Sequence, residues 1–387
     1  MMRVALCSFS NPYKTQVGGA QIHLLLLERA LRINGIDVRT VYYDNSIDVL
    51  KSSLVRYATV FLPRPLKMME RYKSRLGSYR SYLRGRLSEL DLDIVHAHDV
   101  IALDAIDQNF KKVLTIHGYL AREMLDELGD QLGISALYSW AYQVERNAVA
   151  KADHIIAVDS RIRDYVLSEF GYPSSKISVV YNAVDTHLFV PVSKSDQGKI
   201  KKMLGFDEND FVILIARRLV KKNGVVYAVK SMKHVPHRRV RMVIAGEGPE
   251  KNAILREAKG DNRVVLVGAL PHDKIVPYFK AADVVMIPSI TSYGVQEATS
   301  LAALEGMSCG KLIICTDIGG LKEIVSEDTG MIVEERKLFS ISEAICRSLR
   351  NETNREEIGM NAREYVLKNH SYVAHGKKVV EIYKKLV

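Results

Sequence analysis

The chain has 387 residues, of which 47% are hydrophobic and 26% are charged, and its formal net charge is +10. This length suits two α/β domains of similar size, and the composition is ordinary for a soluble globular protein. No run approaches twenty consecutive apolar residues, which excludes a membrane span, and the four scattered cysteines fit a reducing cytoplasm without disulfides or a metal site.

The first half of the chain alternates short apolar runs with helical segments. Strands are predicted at residues 4–6, 37–43, 93–96, 112–116, 154–158 and 177–180, and helices at residues 19–34, around 139–150 and from about 161. Short β-branched runs that alternate with helices are typical of a parallel, doubly wound sheet.

A polar stretch at residues 191–198 predicts a domain boundary, after which the same pattern restarts. Strands are predicted at residues 211–216, 241–246, 263–267, 284–287 and 311–315, and an amphipathic helix at residues 372–386. We therefore predict an α/β protein of two doubly wound, Rossmann-like domains facing each other across a ligand-binding cleft. The expected domains span residues 1–190 and 191–370, and residues 371–387 form a C-terminal helix that packs back toward the first domain.

Two loops that follow strands carry residues suited to binding phosphate. Gly18 and Gly19 open a helix, where glycine allows close backbone approach and the helix N-terminus favours an anion. The dinucleotide pattern Gly-x-Gly-x-x-Gly is absent, which argues against a nicotinamide enzyme. After the strand at residues 211–216, four cations form a candidate diphosphate clamp, although a solvated basic loop is the alternative: Arg217, Arg218, Lys221 and Lys222.

Glu297 and Glu305 lie eight positions apart, just after a predicted strand. On one continuous helix they would share a face; with Glu297 in the preceding loop, both could still reach one ligand. Two acids near a helix N-terminus suit a sugar nucleotide, because one carboxylate can hold ribose hydroxyls while the helix faces phosphate. By itself, such a pair is more typical of an exposed helix that carries two glutamates, and the motifs elsewhere in the chain favour the sugar nucleotide.

Histidines follow two strands of the first domain. His117 lies at the carboxyl end of one strand, where it could donate to a sugar hydroxyl or a leaving group, or simply pack in the core. His96 and His98 lack further ligands at a suitable spacing, and the Asp91-Leu92-Asp93 motif precedes a strand instead of ending one. We therefore predict no metal.

The segment from Arg56 to Arg86 is basic and rich in aromatic residues, with Glu70 as its one central acid. Such a segment predicts contact with an anionic membrane surface or an anionic acceptor, or else an exposed helix pair at the edge of the first domain. The net charge also favours anionic partners. No nucleic-acid-binding module is visible, so nucleic acid is not an expected partner.

Taken in order, these motifs resemble those of family 4 glycosyltransferases, which are retaining, nucleotide-sugar-dependent enzymes of the two-domain B-type (GT-B) fold. The resemblance spans nearly the whole chain. It rests on Gly18-Gly19-Ala20, Thr115-Ile116-His117-Gly118, Tyr181-Asn182-Ala183-Val184-Asp185, Arg218-Leu219, Gly246-Glu247-Gly248-Pro249, Glu297 to Glu305 and Gly319-Gly320-Leu321-Lys322-Glu323.

The resemblance implies a hexosyltransferase that moves a sugar from a UDP- or GDP-sugar to a hydroxyl of a glycan, glycolipid or lipid-linked acceptor, without metal or cofactor. It also implies a cytoplasmic protein, peripheral on the inner face of the membrane. The implied catalytic residues are His117, Glu297, Arg218 and Lys222. The implied donor-binding residues are Gly19, Arg218, Lys222, Gly246, Leu270, Glu297, Thr299, Ser300, Leu301 and Glu305.

The implied roles divide between the parts of the donor. Gly19 would face the diphosphate, Arg218 and Lys222 would grip its oxygens, Glu305 would hold the ribose, and Glu297 would lie against the transferred sugar. The chain departs from the family pattern, since Arg217-Arg218-Leu219 replaces Gly-Arg-Leu and Lys222-Asn223-Gly224 replaces Lys-Gly. The family pattern therefore leaves a choice between Arg217 and Arg218, and between Lys221 and Lys222, for the contacts to phosphate. Two alternatives also stay open: a nucleotide-sugar 2-epimerase of the same fold, and a catalytically inactive partner subunit.

Overall fold

The computed structural model describes residues 1–13, 18–44, 54–55 and 57–387, and two parallel sheets organise them. The first sheet and its helices come from the first half of the chain. In order, these elements are β1 (Arg3–Ser8), α1 (Gly19–Ile33), β2 (Asp37–Tyr42), α2 (Arg64–Ser88), β3 (Ile94–Ala97), α3 (Val100–Asp104), β4 (Lys111–Ile116), α4 (Leu120–Leu128), α5 (Ile134–Lys151), β5 (His154–Ala157), α6 (Ser160–Phe170) and β6 (Ile177–Val179).

The second sheet is built from the second half of the chain. Its strands and helices are α7 (Lys194–Met203), β7 (Phe211–Ala216), α8 (Val225–Ser231), β8 (Val240–Ala245), α9 (Lys251–Ala258), β9 (Val264–Gly268), α10 (His272–Ala281), β10 (Val284–Ile287), α11 (Leu301–Ser308), β11 (Leu312–Thr316), α12 (Leu321–Ile324) and β12 (Gly330–Val333). Three helices complete the chain: α13 (Leu338–Arg350), α14 (Glu352–Asn369) and α15 (Tyr372–Lys384).

The strand order places a switch point in each sheet. The first sheet has the order β2-β1-β3-β4-β5-β6 and the second β12-β11-β10-β7-β8-β9. The direction of winding therefore reverses between β1 and β3, and again between β7 and β10. Ligands of open α/β sheets bind at the carboxyl ends of the strands beside such reversals. The predicted class of two doubly wound α/β domains is confirmed, and the carboxyl ends of β1, β3, β4, β7 and β10 define the cleft.

Hydrogen bonds between the two halves of the chain cross the cleft. Thr299 is central to them, because its Oγ1 donates to the Val158 carbonyl at 2.5 Å and its own carbonyl accepts from Asn182 Nδ2 at 2.7 Å. Ser160 Oγ also donates to Glu323 Oε1 at 2.6 Å. The loop before α11 is thus held directly against the first domain.

The C-terminal helix α15 packs against α1 of the first domain. Tyr383 is fully buried there, and its hydroxyl lies 2.6 Å from His96 Nδ1. On the same helix, His375 Nδ1 lies 3.1 Å from the Tyr181 carbonyl. The chain thus returns to the first domain after completing the second.

Most of the basic segment forms one long helix. Residues 64–88 form α2, and Pro65 lies in its first turn, where proline is well tolerated. Residues 57 and 58, just before it, are also helical. The segment's first residue, Arg56, lies outside the described residues. Among the helices that the structure describes, none has the length and apolar character needed to cross a bilayer.

Candidate active site

An arginine network occupies the carboxyl ends of β7 and β10. Arg217 follows β7, and its guanidinium donates to Ser289 Oγ at 2.5 Å, to Asn223 Oδ1 at 2.9 Å and to Glu297 Oε2 at 2.5 Å. The Arg217 and Glu297 side chains are only 6% and 13% exposed. A buried ion pair persists only when further hydrogen bonds satisfy both partners, as they do here for Arg217.

The neighbouring Arg218 is placed differently. Its residue is exposed on the cleft side, and its carbonyl accepts a hydrogen bond from Asn223 Nδ2 at 2.7 Å. Its guanidinium is therefore available to a ligand, whereas that of Arg217 is committed to Glu297. The assignment of Arg218 to the donor diphosphate stays a prediction, and the structure adds Arg217 as the arginine that orients the acid.

Lys222 forms an ion pair across the cleft. Its Nζ lies 2.9 Å from Oε1 of Glu123 on α4. Burial opposes the charge of Lys222, but Glu123 and Glu297 outweigh burial and raise the pKa of the ammonium, so Lys222 is cationic at neutral pH. For Lys222 to contact a diphosphate, its ion pair with Glu123 must break, or its ammonium must bind both groups at once.

Two glycines allow the loops around the arginines to approach closely. A Cβ on Gly246 would lie 1.8 Å from the Arg217 carbonyl oxygen, and one on Gly224 would lie 1.9 Å from the Pro288 carbonyl oxygen. Gly224 also has φ +63°, in the left-handed region. Gly246 therefore has a clear packing role, and its predicted donor contact stays a prediction.

Gly224→Ala is expected to lower the free energy of unfolding by more than about 2 kcal/mol, because it combines a left-handed alanine with a backbone clash. Gly171→Ala is the matched control, since Gly171 has φ +62° but open space where its Cβ would lie. That control is expected to lose only about 1 kcal/mol. Urea unfolding of both variants measures the difference, and equal losses would contradict the clash.

Two helix N-termini converge on the cleft. Gly19 begins α1 and Leu301 begins α11, and a Cβ on Gly19 would lie 3.4 Å from Leu301 Cδ1. Helix N-termini carry unpaired N–H groups and partial positive charge, so their meeting favours an anion. Ser300, the N-cap of α11, and Thr299 before it are buried, and the Thr299 hydroxyl is committed to the first domain. The predicted phosphate contacts of Thr299 and Ser300 therefore fall to their backbone N–H groups, and they stay a prediction.

The two glutamates lie on different elements. Glu297 is in the loop before α11, and Glu305 is on α11, which is the second of the two arrangements open from the sequence. Glu305 is buried, and its Oε1 accepts a hydrogen bond of 2.7 Å from His272 Nε2. Burial lowers the pKa of His272, but Glu305 outweighs this effect, so the net shift is upward. Leu270, two residues before α10, packs on the core of the second domain beside this pair.

His117 belongs to a buried cluster of imidazoles. Its ring centre lies 4.7 Å from that of His23 and 6.1 Å from that of His98. Both nitrogens of His98 and Nε2 of His117 are buried without a hydrogen-bond partner among the described residues. Burial lowers the pKa of His117 to about 3, so its ring is neutral at pH 7. His117 can therefore donate or accept a hydrogen bond but does not supply a positive charge.

The same cluster is the group of described residues with the best claim to a metal. One nitrogen each of His23, His98 and His117 lies within 4.8 Å of the others. Zinc bound by histidine has Zn–N distances of about 2.0–2.1 Å, which places tetrahedral ligand nitrogens about 3.4 Å apart. The three nitrogens are close enough to be considered as ligands of one ion, and metal independence stays a prediction.

The sequence reasoning missed three partners of these residues: Ser289, His272 and Glu123. Ser289 follows the end of β10 by two positions, and His272 is the first residue of α10. Nothing in the local sequence around Glu123 marks it, because its role comes from the approach of the other domain.

Comparison with known proteins identifies the class of this site. The family described as Glycosyltransferase Family 4 matches residues 17–188, and the family described as Glycosyl transferases group 1 matches residues 196–365. The chain belongs to the family 4 type of glycosyltransferases. This assignment confirms the family resemblance predicted from the motifs.

Relatives and solved structures agree with this assignment. The α-maltose-1-phosphate synthase of Mycolicibacterium smegmatis is 29% identical, over 100% of both chains. The sucrose-phosphate synthase of Thermosynechococcus elongatus superimposes with a TM-score of 0.79 at 21% identity, covering 100% of this chain and 99% of that one. The Anabaena HepE protein, solved in complex with UDP-glucose, has a TM-score of 0.73 at 19% identity and full coverage of both chains. These likenesses confirm the GT-B fold of this glycosyltransferase.

Proposed function

We propose that this glycosyltransferase moves a sugar, with retention of anomeric configuration, from a UDP- or GDP-sugar to a hydroxyl of a glycan, glycolipid or lipid-linked acceptor. The observation that carries the proposal is the convergence of the α1 and α11 N-termini at Gly19 and Leu301. The exposed Arg218 is the chain neighbour of Arg217, which contacts Glu297 in the loop before α11. Helix N-termini and a cation of this kind suit a diphosphate. A solved structure of the same fold binds UDP-glucose, which supports a nucleotide-sugar donor.

The flanking acids suit the remaining parts of such a donor. Glu305 lies one helical turn after Leu301, the first residue of α11. We place the ribose hydroxyls at Glu305 and the diphosphate at the helix N-terminus. Glu297 is held by Arg217 in the loop before α11, where we place the transferred sugar. His117 approaches from the first domain, as a neutral hydrogen-bonding group for the sugar or the acceptor.

The proposed chemistry relies on charge stabilisation. As the bond between the sugar and the diphosphate breaks, negative charge grows on the leaving group, and preorganised donors stabilise it. The departing diphosphate takes the proton of the acceptor hydroxyl, which attacks from the same face of the sugar. The chain's own cations and helix N-termini supply the stabilising charge, so we propose that metal is not required.

The cross-cleft pair of Lys222 and Glu123 suggests how closure is coupled to the donor. A diphosphate that attracts Lys222 competes with Glu123 for the same ammonium. Exclusion of water on closure would protect the donor from hydrolysis.

The first test is a thermal-shift panel of UDP, GDP and ADP and their common sugars, with EDTA present. A ligand at about 100 times its Kd stabilises the folded state by about 2.7 kcal/mol, so one nucleotide family is expected to raise the Tm clearly. A shift that appears only when metal replaces EDTA would contradict metal independence. No shift with any nucleotide would favour the inactive partner subunit.

Testing retention and transfer requires analysis of the reaction product. With the donor known, anomeric NMR of the glycoside formed on a membrane-extract acceptor distinguishes retention from inversion. A 2-epimerase would instead convert the nucleotide sugar itself without an acceptor, and that outcome would replace transfer as the function.

We place the protein on the inner face of the membrane because α2 is basic, and co-sedimentation with anionic vesicles tests this location.

A further inference from the structure

A small pocket lies along one face of α2, outside the donor site. It encloses about 250 Å³, less than a typical drug-sized ligand site. Its lining residues recur at intervals of three and four, so they share one face of the helix. They are Arg64, Lys67, Met68, Arg71, Tyr72 and Arg75.

The pocket has an excess of positive charge. Arg64 is partly compensated by Glu127 at 3.6 Å, and the nearby Glu70 is engaged by Lys73 instead. Within the part of the chain that the structure describes, Lys67 and Arg71 form no ion pair. Two cations on one helix face without acids oppose each other unless an anion joins them.

Arg75 closes the inner end of the pocket in an unusual environment. Its guanidinium lies over the rings of Phe9 and Tyr43, with distances to the ring centres of 4.8 and 5.1 Å. Its Nε is buried and has no hydrogen-bond partner among the described residues. Stacking on aromatic faces fixes the guanidinium plane and leaves this buried N–H group without an acceptor in the described part of the chain.

The pocket lies beside the donor site. Phe9 directly follows β1, so the inner end of the pocket is at the carboxyl edge of the first sheet. Burial raises the pKa of the Tyr72 phenol, and the charges of Arg75 and the donor-side Arg218 oppose that rise.

Helix α4 gives the spacing between the two sites. Glu123 contacts Lys222 on the donor side, and Glu127 contacts Arg64 at the pocket. Four residues of α-helix span roughly 6 Å. The contacts of α4 with the donor-side lysine and with the pocket therefore lie about one helical turn apart.

We propose that this pocket binds a phosphate group carried by the acceptor. The inference rests on the proposed transfer function, because it gives the pocket the position of an acceptor subsite. Three arginines and a lysine match a phosphate, whose oxygens take bidentate arginine contacts. The volume suits a phosphate with part of a sugar and is too small for a second nucleotide sugar.

The phosphate can belong to a lipid or to a soluble sugar phosphate. The residues before α2 include large apolar side chains in solvent, with Phe61 98% and Tyr57 83% exposed. Such side chains next to a basic helix are typical of a surface that meets lipid. Vesicles and a soluble phosphomonoester distinguish the two sources.

The test compares two double variants of equal charge change on the same helix. Lys67→Gln/Arg71→Gln removes the unpaired cations of the pocket. Arg84→Gln/Arg86→Gln removes two exposed cations away from it. The probes are glucose 6-phosphate, followed by calorimetry with glucose as the uncharged reference, and phosphatidylcholine vesicles with and without phosphatidic acid, followed by co-sedimentation.

The wild type is expected to bind at least one phosphate probe in preference to its phosphate-free reference. The pocket variant is expected to lose roughly tenfold or more in affinity, because it removes two charge-assisted hydrogen-bond donors, while the control variant keeps wild-type affinity. Binding of the sugar phosphate alone identifies a soluble acceptor, and binding of phosphatidic acid vesicles alone identifies a lipid phosphate. Equal losses in both variants, or no preference for phosphate, would overturn the proposal.

The nucleotide thermal-shift panel, run on the same proteins, separates this proposal from the proposed function. Both double variants are expected to keep the wild-type shift. A shift lost only in the pocket variant would make the pocket part of the donor site and overturn the acceptor assignment. No nucleotide shift in any protein, with phosphate binding still lost only in the pocket variant, would defeat the transfer function while the phosphate site stands.

Discussion

Glu305→Ala is expected to weaken binding of the donor nucleotide about a hundredfold or more. Glu305 is buried on α11, and the proposed bonds from its carboxylate to two ribose hydroxyls contribute about 1.5–3 kcal/mol each. Calorimetric titration with the nucleoside diphosphate found in the thermal-shift panel measures the loss.

Two companion variants make this result specific. Glu305→Gln keeps the shape and one acceptor oxygen, so an intermediate affinity is expected. His272→Ala removes the hydrogen bond to Glu305 Oε1 and leaves the carboxylate in place, so a smaller loss is expected than for Glu305→Ala. Wild-type affinity in Glu305→Ala would show that Glu305 serves only to hold His272.

Arg217→Ala is expected to lower the free energy of unfolding by about 3–5 kcal/mol, which is the usual cost of removing one partner from a buried ion pair. The cause is that Glu297 would remain 13% exposed without its cation, and Asn223 and Ser289 would each lose a donor. Urea unfolding with an activity assay on the folded fraction measures both stability and transfer.

The adjacent Arg218→Ala provides the contrast. Arg218 is exposed, so its loss is expected to change stability by less than about 0.5 kcal/mol while weakening nucleotide binding by roughly tenfold or more. If Arg217→Ala leaves stability unchanged, the observed ion pair does not persist in solution. If Arg218→Ala binds the nucleotide as the wild type does, the diphosphate assignment passes to Arg217 or Lys222.

The sequence predicted the elements that carry the site. Residues 19–34 were expected to form a helix, and α1 spans Gly19–Ile33; residues 284–287 were expected to form a strand, and β10 spans Val284–Ile287. These predictions succeed because a buried parallel strand is encoded by a short run of β-branched residues. A helix that covers such a strand has apolar residues at the helical period of 3.6. The basic segment was harder, because its helix α2 carries charges around much of its surface and gives a weak apolar stripe.

The contacts between residues at the site were harder to predict from the sequence. The motif order identified the family, and it placed Glu297, Glu305 and the arginine pair in one cleft. It did not show which arginine faces Glu297, because Arg217 and Arg218 are adjacent and point to different sides of an irregular loop.

The sequence by itself determined the two doubly wound domains, the family and the set of residues at the carboxyl ends of the strands. It did so because strand period, helix period and glycine-rich turns are local properties of the chain. Only the tertiary structure decided the pairings. Arg217 meets Glu297 from 80 positions away, Lys222 meets Glu123 from 99, and α4 contacts both Lys222 and Arg64 of the α2 pocket. Such contacts depend on how the two sheets pack against each other, and no local sequence pattern encodes the contacts between residues so far apart in the chain.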